Sequence, residues 1–211
     1  MSNTRAAWIM GTALAGVMAL AAGGVARAQN ISIAVGPAPT SVDPHYHNLS
    51  PNNALARNIY DGLLSRDANS RPTAALATSW KLIDDQTWEF KLRPNVKFHN
   101  GEPFTADDVA YSIARPAKVT NSPGSFAFIT RPVTEVQVVD ATTVRMKTNG
   151  MQPLLAVDLA NIMIIPRGLG AAPTTEDFNS GKNAIGTGPF KLGAFKPGDR
   201  AELVRNDAYW G

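Results

Sequence analysis

Apolar and polar positions alternate at several places along the chain, and each alternation predicts a strand. Ile31, Ile33 and Val35 bracket Ser32 and Ala34 and predict a strand over 31–35. Trp88, Phe90 and Leu92 interleave with Glu89, Lys91 and Arg93, the signature of a half-buried strand, and Val96 and Phe98 continue it after Pro94-Asn95. Segments 133–139 and 144–146 flank Asp140-Ala141-Thr142-Thr143 and predict a hairpin. A second terminal pair, around Phe190-Lys191-Leu192 and 200–205, is joined by Lys196-Pro197-Gly198-Asp199.

The helical spacing appears between these strands. Leu55, Ile59 and Leu63 lie one turn apart, with Asn52 or Asn53 as cap and Gly62 where the helix should stop. Thr105-Ala106-Asp107-Asp108 reads as a capping box that opens a helix carrying Val109 and Ile113 inward, with Pro116 ending it. Pro153 opens a helix with Leu154, Leu155 and Leu159, residues 162–165 read as a short apolar strand, and Thr174-Thr175-Glu176-Asp177 caps one more short helix. Asn100-Gly101 marks a tight turn. Trp80, Trp88, Phe90 and Phe98 are predicted core, as aromatic stripes at strand spacing usually are. Strands and helices interleave without strict alternation, which predicts an α+β, mixed-sheet fold rather than a doubly wound parallel sheet.

Composition alters this picture at the amino end. Arg5 precedes an uncharged Ala/Leu/Val/Met run over 6–22, and Ala26-Arg27-Ala28 fits a cleavage site, so residues 1–28 read as an export leader. Two cations and no acid leave with it, and the formal charge of +3 becomes +1. No Lys/Arg run remains that would hold nucleic acid. The chain has no cysteine, which excludes disulfides, thiolate chemistry and a cysteine-linked lipid. A free exported protein of the periplasm is expected.

Motifs for catalysis are missing. There is no G-x-S-x-G elbow. Asn183 follows Gly181-Lys182 where a phosphate loop needs Ser or Thr. Gly186-Thr187-Gly188 is followed by Pro189 and reads as a tight start to a strand, not a dinucleotide fingerprint. His45 and His47 have metal-like spacing but no third ligand near in sequence, so they read as exposed loop histidines. Asp84-Asp85 sits in a turn and Asp107-Asp108 at a helix cap, which leaves neither pair for acid–base work. No enzyme, cofactor or metal site is predicted.

In order along the chain stand Val42-Asp43-Pro44-His45, Tyr60-Asp61-Gly62-Leu63-Leu64, Leu76-Ala77-Thr78-Ser79-Trp80 and Asp84-Asp85-Gln86-Thr87-Trp88. The densest run follows, from Val96-Lys97-Phe98-His99-Asn100-Gly101 through Thr105-Ala106-Asp107-Asp108-Val109, and the set closes with 185–190 and 205–211. Taken together these segments resemble the amino-terminal part of the family 5 extracellular solute-binding proteins, the peptide- and nickel-type receptors of ABC importers.

The resemblance implies lobe I of a type II (cluster C) periplasmic binding protein. Residues 29–59 and 166–211 would form the lobe body and residues 60–165 an inserted subdomain. It implies a small solute or peptide as ligand, inner-membrane ABC permease subunits as partners, and no catalysis. Ligand contact is expected from His47, Asn48, Leu49 and Ser50, whose backbone could pair with an extended ligand. A second contact is expected from the loop 121–126, with Ser125 and the apolar ring of Phe126. Family members are more than twice as long, so the chain reads as one jaw of a two-jaw clamp that would not enclose a ligand alone. A separately encoded second lobe is the partner this implies. The alternative is an interaction module that pairs through an exposed sheet edge.

Overall fold

The structure, a computed structural model, describes residues 30–34 and 36–211; the predicted leader over 1–28 lies outside the described residues. Helix α1 (Ser50–Ile59) comes first, then strands β1 (Leu64–Arg66), β2 (Pro72–Ala74), β3 (Ala77–Asp84) and β4 (Thr87–Leu92). Helices α2 (Ala106–Ala114) and α3 (Ala127–Thr130) precede β5 (Val133–Asp140) and β6 (Thr143–Thr148). The short helices α4 (Leu155–Leu159) and α5 (Thr175–Asn179) lead to the closing hairpin β7 (Phe190–Lys196) and β8 (Arg200–Arg205).

A four-stranded sheet in the order β3-β4-β6-β5 organises the middle of the chain. Both of its hairpins open on an aspartate that binds the N–H two residues on: Asp84 Oδ1 accepts from Gln86 at 2.9 Å and Asp140 Oδ1 from Thr142 at 2.8 Å. The register sets Trp88 opposite Met146 and Phe90 opposite Val144, so one face presents a continuous apolar row. Helix α2 lies against β5 and β6 and buries Val109 and Ile113. On the other face Glu89 is buried between Lys81 at 3.5 Å and Arg145 at 2.9 Å, where alternation alone predicted an exposed carboxylate. The two flanking cations let it leave water.

Two hydrophobic cores result. One gathers Leu63, Phe90, Phe98, Val109, Met146 and Leu159 around the four-stranded sheet. The other gathers Val42, Leu55, Ile59, Tyr60, Ile165 and Phe178, with Leu192, Phe195 and Leu203 of the β7–β8 hairpin packed against it. The predicted Thr105 capping box forms: the Thr105 N–H donates to Asp108 Oδ2 at 2.7 Å. So does the box at Thr174, whose N–H donates to Asp177 Oδ2 at 3.1 Å.

Several expectations change. Residues 30–34 carry no strand, and Ile31 and Ile33 are 82% and 79% exposed. Alternation becomes a strand only where a ladder partner exists. The named sheets are antiparallel throughout instead of mixed: tight turns reverse the chain at β3–β4, β5–β6 and β7–β8, β1 and β2 also run antiparallel, and β6 lies antiparallel to β4 across the intervening segment 93–142. Helix α1 starts at Ser50, its Leu49 cap makes no side-chain bond, and Asn52 instead accepts from the Thr40 N–H at 2.8 Å. Gly62 does not cap it. It bridges Met163, and a Cβ there would lie 2.9 Å from the Leu64 carbonyl oxygen. Residues 162–165 are buried but form only that bridge instead of a strand.

Candidate functional site

Below the loop that precedes α1 lies a buried ion pair. Arg115, just past the C-terminus of α2, donates from Nη1 to Asp43 Oδ1 at 2.6 Å and from Nη2 to Asp43 Oδ2 at 2.7 Å. Thr175 adds its hydroxyl to Asp43 Oδ2 at 2.8 Å, Arg115 also reaches the Pro173 carbonyl at 3.2 Å, and the guanidinium stacks over the Phe178 ring at 4.5 Å. Burial pushes the Asp43 carboxyl up, but the Arg115 hydrogen bonds and charge, with His45, hold it below the usual carboxylate range. Three separate chain segments are fastened there, and the loop 44–49 rises from this anchor.

His45 corrects the sequence reading, which took it for an exposed loop residue: it is fully buried. Its Nε2–H donates to the Met163 carbonyl at 2.9 Å, which fixes the tautomer and leaves Nδ1 an acceptor without a partner among the described residues. Burial first, then the Arg115 charge, lower its pKa to about 4. Among the described residues no cluster of His and acidic side chains could hold a metal ion.

The two loops expected at the ligand meet each other. His47 and Gly124 form a parallel bridge, and the Asn48 N–H donates to the Gly124 carbonyl at 2.7 Å. The Ser122 hydroxyl donates to the Tyr46 carbonyl and adds a second link. Asn48 is exposed, and its Oδ1 accepts from Asn53 at 2.8 Å. Leu49 caps α1 and Ser50 is already its first residue. The Ser125 hydroxyl accepts from the Ala127 N–H at 3.0 Å at the start of α3. Phe126 is 2% exposed and belongs to the sheet core, so its ring does not offer the surface contact foreseen for it.

Beside this joined edge opens a cleft of about 650 Å³ lined by Tyr46, Tyr111, Lys118, Asn121, Pro173 and Glu176, among others. Tyr111 holds one wall, donating to the Gly170 carbonyl at 2.7 Å, and burial raises its pKa. Sequence reasoning missed Tyr46, Tyr111 and Lys118 because each lies on a separate element. It also missed the pairing of Asp43 with Arg115, although an arginine at a buried helix end, just before a proline, was a readable cue.

Among the described residues no helix is long and apolar enough to cross a membrane. A family model, Bacterial extracellular solute-binding proteins, family 5 Middle, matches residues 71–211. The chain is 30% identical over 196 residues to the glutathione-binding protein GsiB of Pectobacterium atrosepticum, covering 91% of this chain and 37% of that protein. It is 29% identical to the periplasmic oligopeptide-binding protein OppA of Salmonella typhimurium, covering 81% and 34%. The oligopeptide-binding protein AppA of Bacillus subtilis, solved with a nonapeptide, superposes with a TM-score of 0.74 at 26% identity, covering 82% of this chain and 36% of that one. The chain thus spans a little over a third of the curated relatives it matches. Those relatives carry the matched part and the remainder in one chain, which gives no support to a separately encoded second lobe. With the motif order, the fold and a match over most of its length in agreement, the chain belongs to the bacterial extracellular solute-binding proteins of family 5.

Proposed function

We propose that this chain supplies the first-lobe wall of a periplasmic solute-binding component of an ABC importer, taking peptides or similar small solutes and handing them to inner-membrane permease subunits. Residues 60–165 are the inserted subdomain of that lobe in this reading, which the two separate hydrophobic cores support. The relatives' names, glutathione-binding and oligopeptide-binding, supply the solute class.

The observation that carries the reading is the union of 46–50 with 121–126 beside a cleft large enough for a short peptide. A bridged backbone edge provides N–H and C=O groups that an extended ligand can continue, giving affinity with little side-chain selectivity. Anchoring by Asp43 and Arg115 keeps that edge in place before the ligand arrives. No step of chemistry is assigned to it.

Hydrogen–deuterium exchange with a pool of short peptides and glutathione tests this. One wall alone is expected to bind weakly at most, and the protection a ligand gives at high concentration is expected in 46–50 and 121–126. Tight binding by this chain alone, or ligand protection confined to other segments, would defeat the proposal.

A further inference from the structure

The turn over 96–104 belongs to the first core: Phe98 is buried in it, while Asn100, Gly101 and Glu102 at the tip are exposed. His99 sits between, half-buried, and meets residues 186–188 with both its backbone and its ring. The His99 N–H donates to the Gly186 carbonyl at 2.8 Å. Ring Nδ1 accepts the Gly186 N–H at 3.2 Å, and Nε2 lies 3.0 Å from the Gly188 carbonyl oxygen. One imidazole thus clips this turn to the segment that runs into β7. That segment is itself bonded to the end of α1, where the Gly188 N–H donates to the Ile59 carbonyl at 2.9 Å.

Both partners of the ring are backbone groups of fixed type. An amide N–H only donates and a carbonyl only accepts, so the ring carries its proton on Nε2 and keeps a lone pair on Nδ1. A second proton would go to Nδ1, the nitrogen that faces the Gly186 N–H, and would set two donors against each other. Gly186 has no room to turn aside, since a Cβ on it would lie 2.0 Å from the Ile59 carbonyl oxygen. The exposed tip of the turn is the part free to give. We propose that His99 is an acid-released latch, whose neutral ring closes the 96–104 turn onto residues 186–188 and whose imidazolium lets the tip swing away.

The charges around the ring favour release. Lys191 of β7 donates from Nζ to the His99 carbonyl at 3.3 Å and repels an imidazolium. The Glu102 carboxylate of the same turn lies against Gly168, and Lys97 is exposed. Asp61 accepts from the Thr187 hydroxyl between the two glycines, but among the described residues no carboxylate pairs with the ring. Burial lowers the His99 pKa below the ordinary 6.5, the Gly188 carbonyl opposes this, and Lys191 adds to it. The folded state therefore prefers the neutral ring: the latch is closed above pH 6.5 and opens as the pH falls through the lowered value.

Nitrogen-15 NMR of the full chain tests this. At neutral pH the ring should show the Nε2–H tautomer, and it should titrate with a midpoint below 6.5. Across that midpoint the exchange protection of the Gly186 amide, corrected for the intrinsic effect of pH, should fall about tenfold. The Gly188 amide, bonded to Ile59 and not to the ring, should keep its protection, as should the ladder amides between β4 and β6. His45 also weakens the fold in acid, but that loss would reach all these amides alike. His99→Asn leaves an acceptor where Nδ1 stood without the titration, so its Gly186 protection should not change with pH. An Nδ1–H tautomer, or Gly186 protection that does not move as the ring titrates, would overturn the latch. So would a fall shared equally by Gly188 and the sheet, or the same fall at Gly186 in a folded His99→Asn.

Discussion

Asp43 and Arg115 show how much one buried pair can hold. Removing one partner leaves the other charged and desolvated, so Arg115→Ala or Asp43→Ala is expected to cost about 3–5 kcal/mol. The double variant should cost clearly less than the two summed, as urea unfolding would reveal. His45 adds a pH dependence of defined sign. Its folded pKa of about 4 lies below the ordinary 6.5, so the unfolded chain takes up the proton first. Stability is complete above pH 6.5 and falls as the pH drops toward 4, by about 3 kcal/mol from this group. His45→Asn should flatten that part of a pH–stability profile, and an unchanged slope would contradict the assignment. The burial of His45 was not legible in the sequence. His45-Tyr46-His47 looks like any polar loop, and only the fold places Met163 over one imidazole while leaving the other half-exposed.

Elements were more legible than their contacts. The Thr105 and Thr174 caps could be read because a capping box uses residues three apart, so sequence and structure carry the same information. The start of α1 could not, since Asn52 is taken by Thr40 on a different segment. Gly186-Thr187-Gly188 falls between these cases. It read correctly as a tight start to β7, but not the reason for its tightness. A Cβ on Gly186 would lie 2.0 Å from the Ile59 carbonyl oxygen, and one on Gly188 2.6 Å from the Ile59 carbonyl carbon. The Gly188 N–H meanwhile donates to Ile59 O at 2.9 Å. Backbone runs against backbone, so nothing flexible can yield. Gly186→Ala is expected to destabilise by about 3 kcal/mol or more. Gly150→Ala, with no atom within 4 Å of the added carbon, should stay within about 0.5 kcal/mol. Equal melting temperatures for the two variants would contradict the close approach.

At the scale of the whole molecule, the candidate site was visible as two loops but not as one edge. Segments 44–50 and 121–126 are each ordinary polar connections, and the Asn48–Gly124 bond depends on where α1 and α3 are set by two different cores. The same dependence governs how those cores are joined. His99 accepts the Gly186 N–H at Nδ1 and donates from Nε2 to the Gly188 carbonyl, while Asp61 takes Thr187 and Trp210 on the neighbouring side. Trp210 in turn stacks under Arg93 at 4.4 Å and packs against the sheet core. Residues 186–188 are therefore the strut between the hairpin and the rest, and Asp61 is its tie. Burial raises the Asp61 pKa despite its hydrogen-bond donors, so the folded state holds that proton more tightly than the unfolded chain. This contribution weakens as pH rises through the carboxylate range. Asp61→Asn keeps an acceptor for Trp210 without the charge, and should change stability by less than about 1 kcal/mol at pH 7. Asp61→Ala removes the acceptor and should cost about 2 kcal/mol, with the tryptophan emission shifting to the red as Trp210 loosens. If Asp61→Ala leaves both emission and melting unchanged, the strut is held by His99 and the glycine contacts alone.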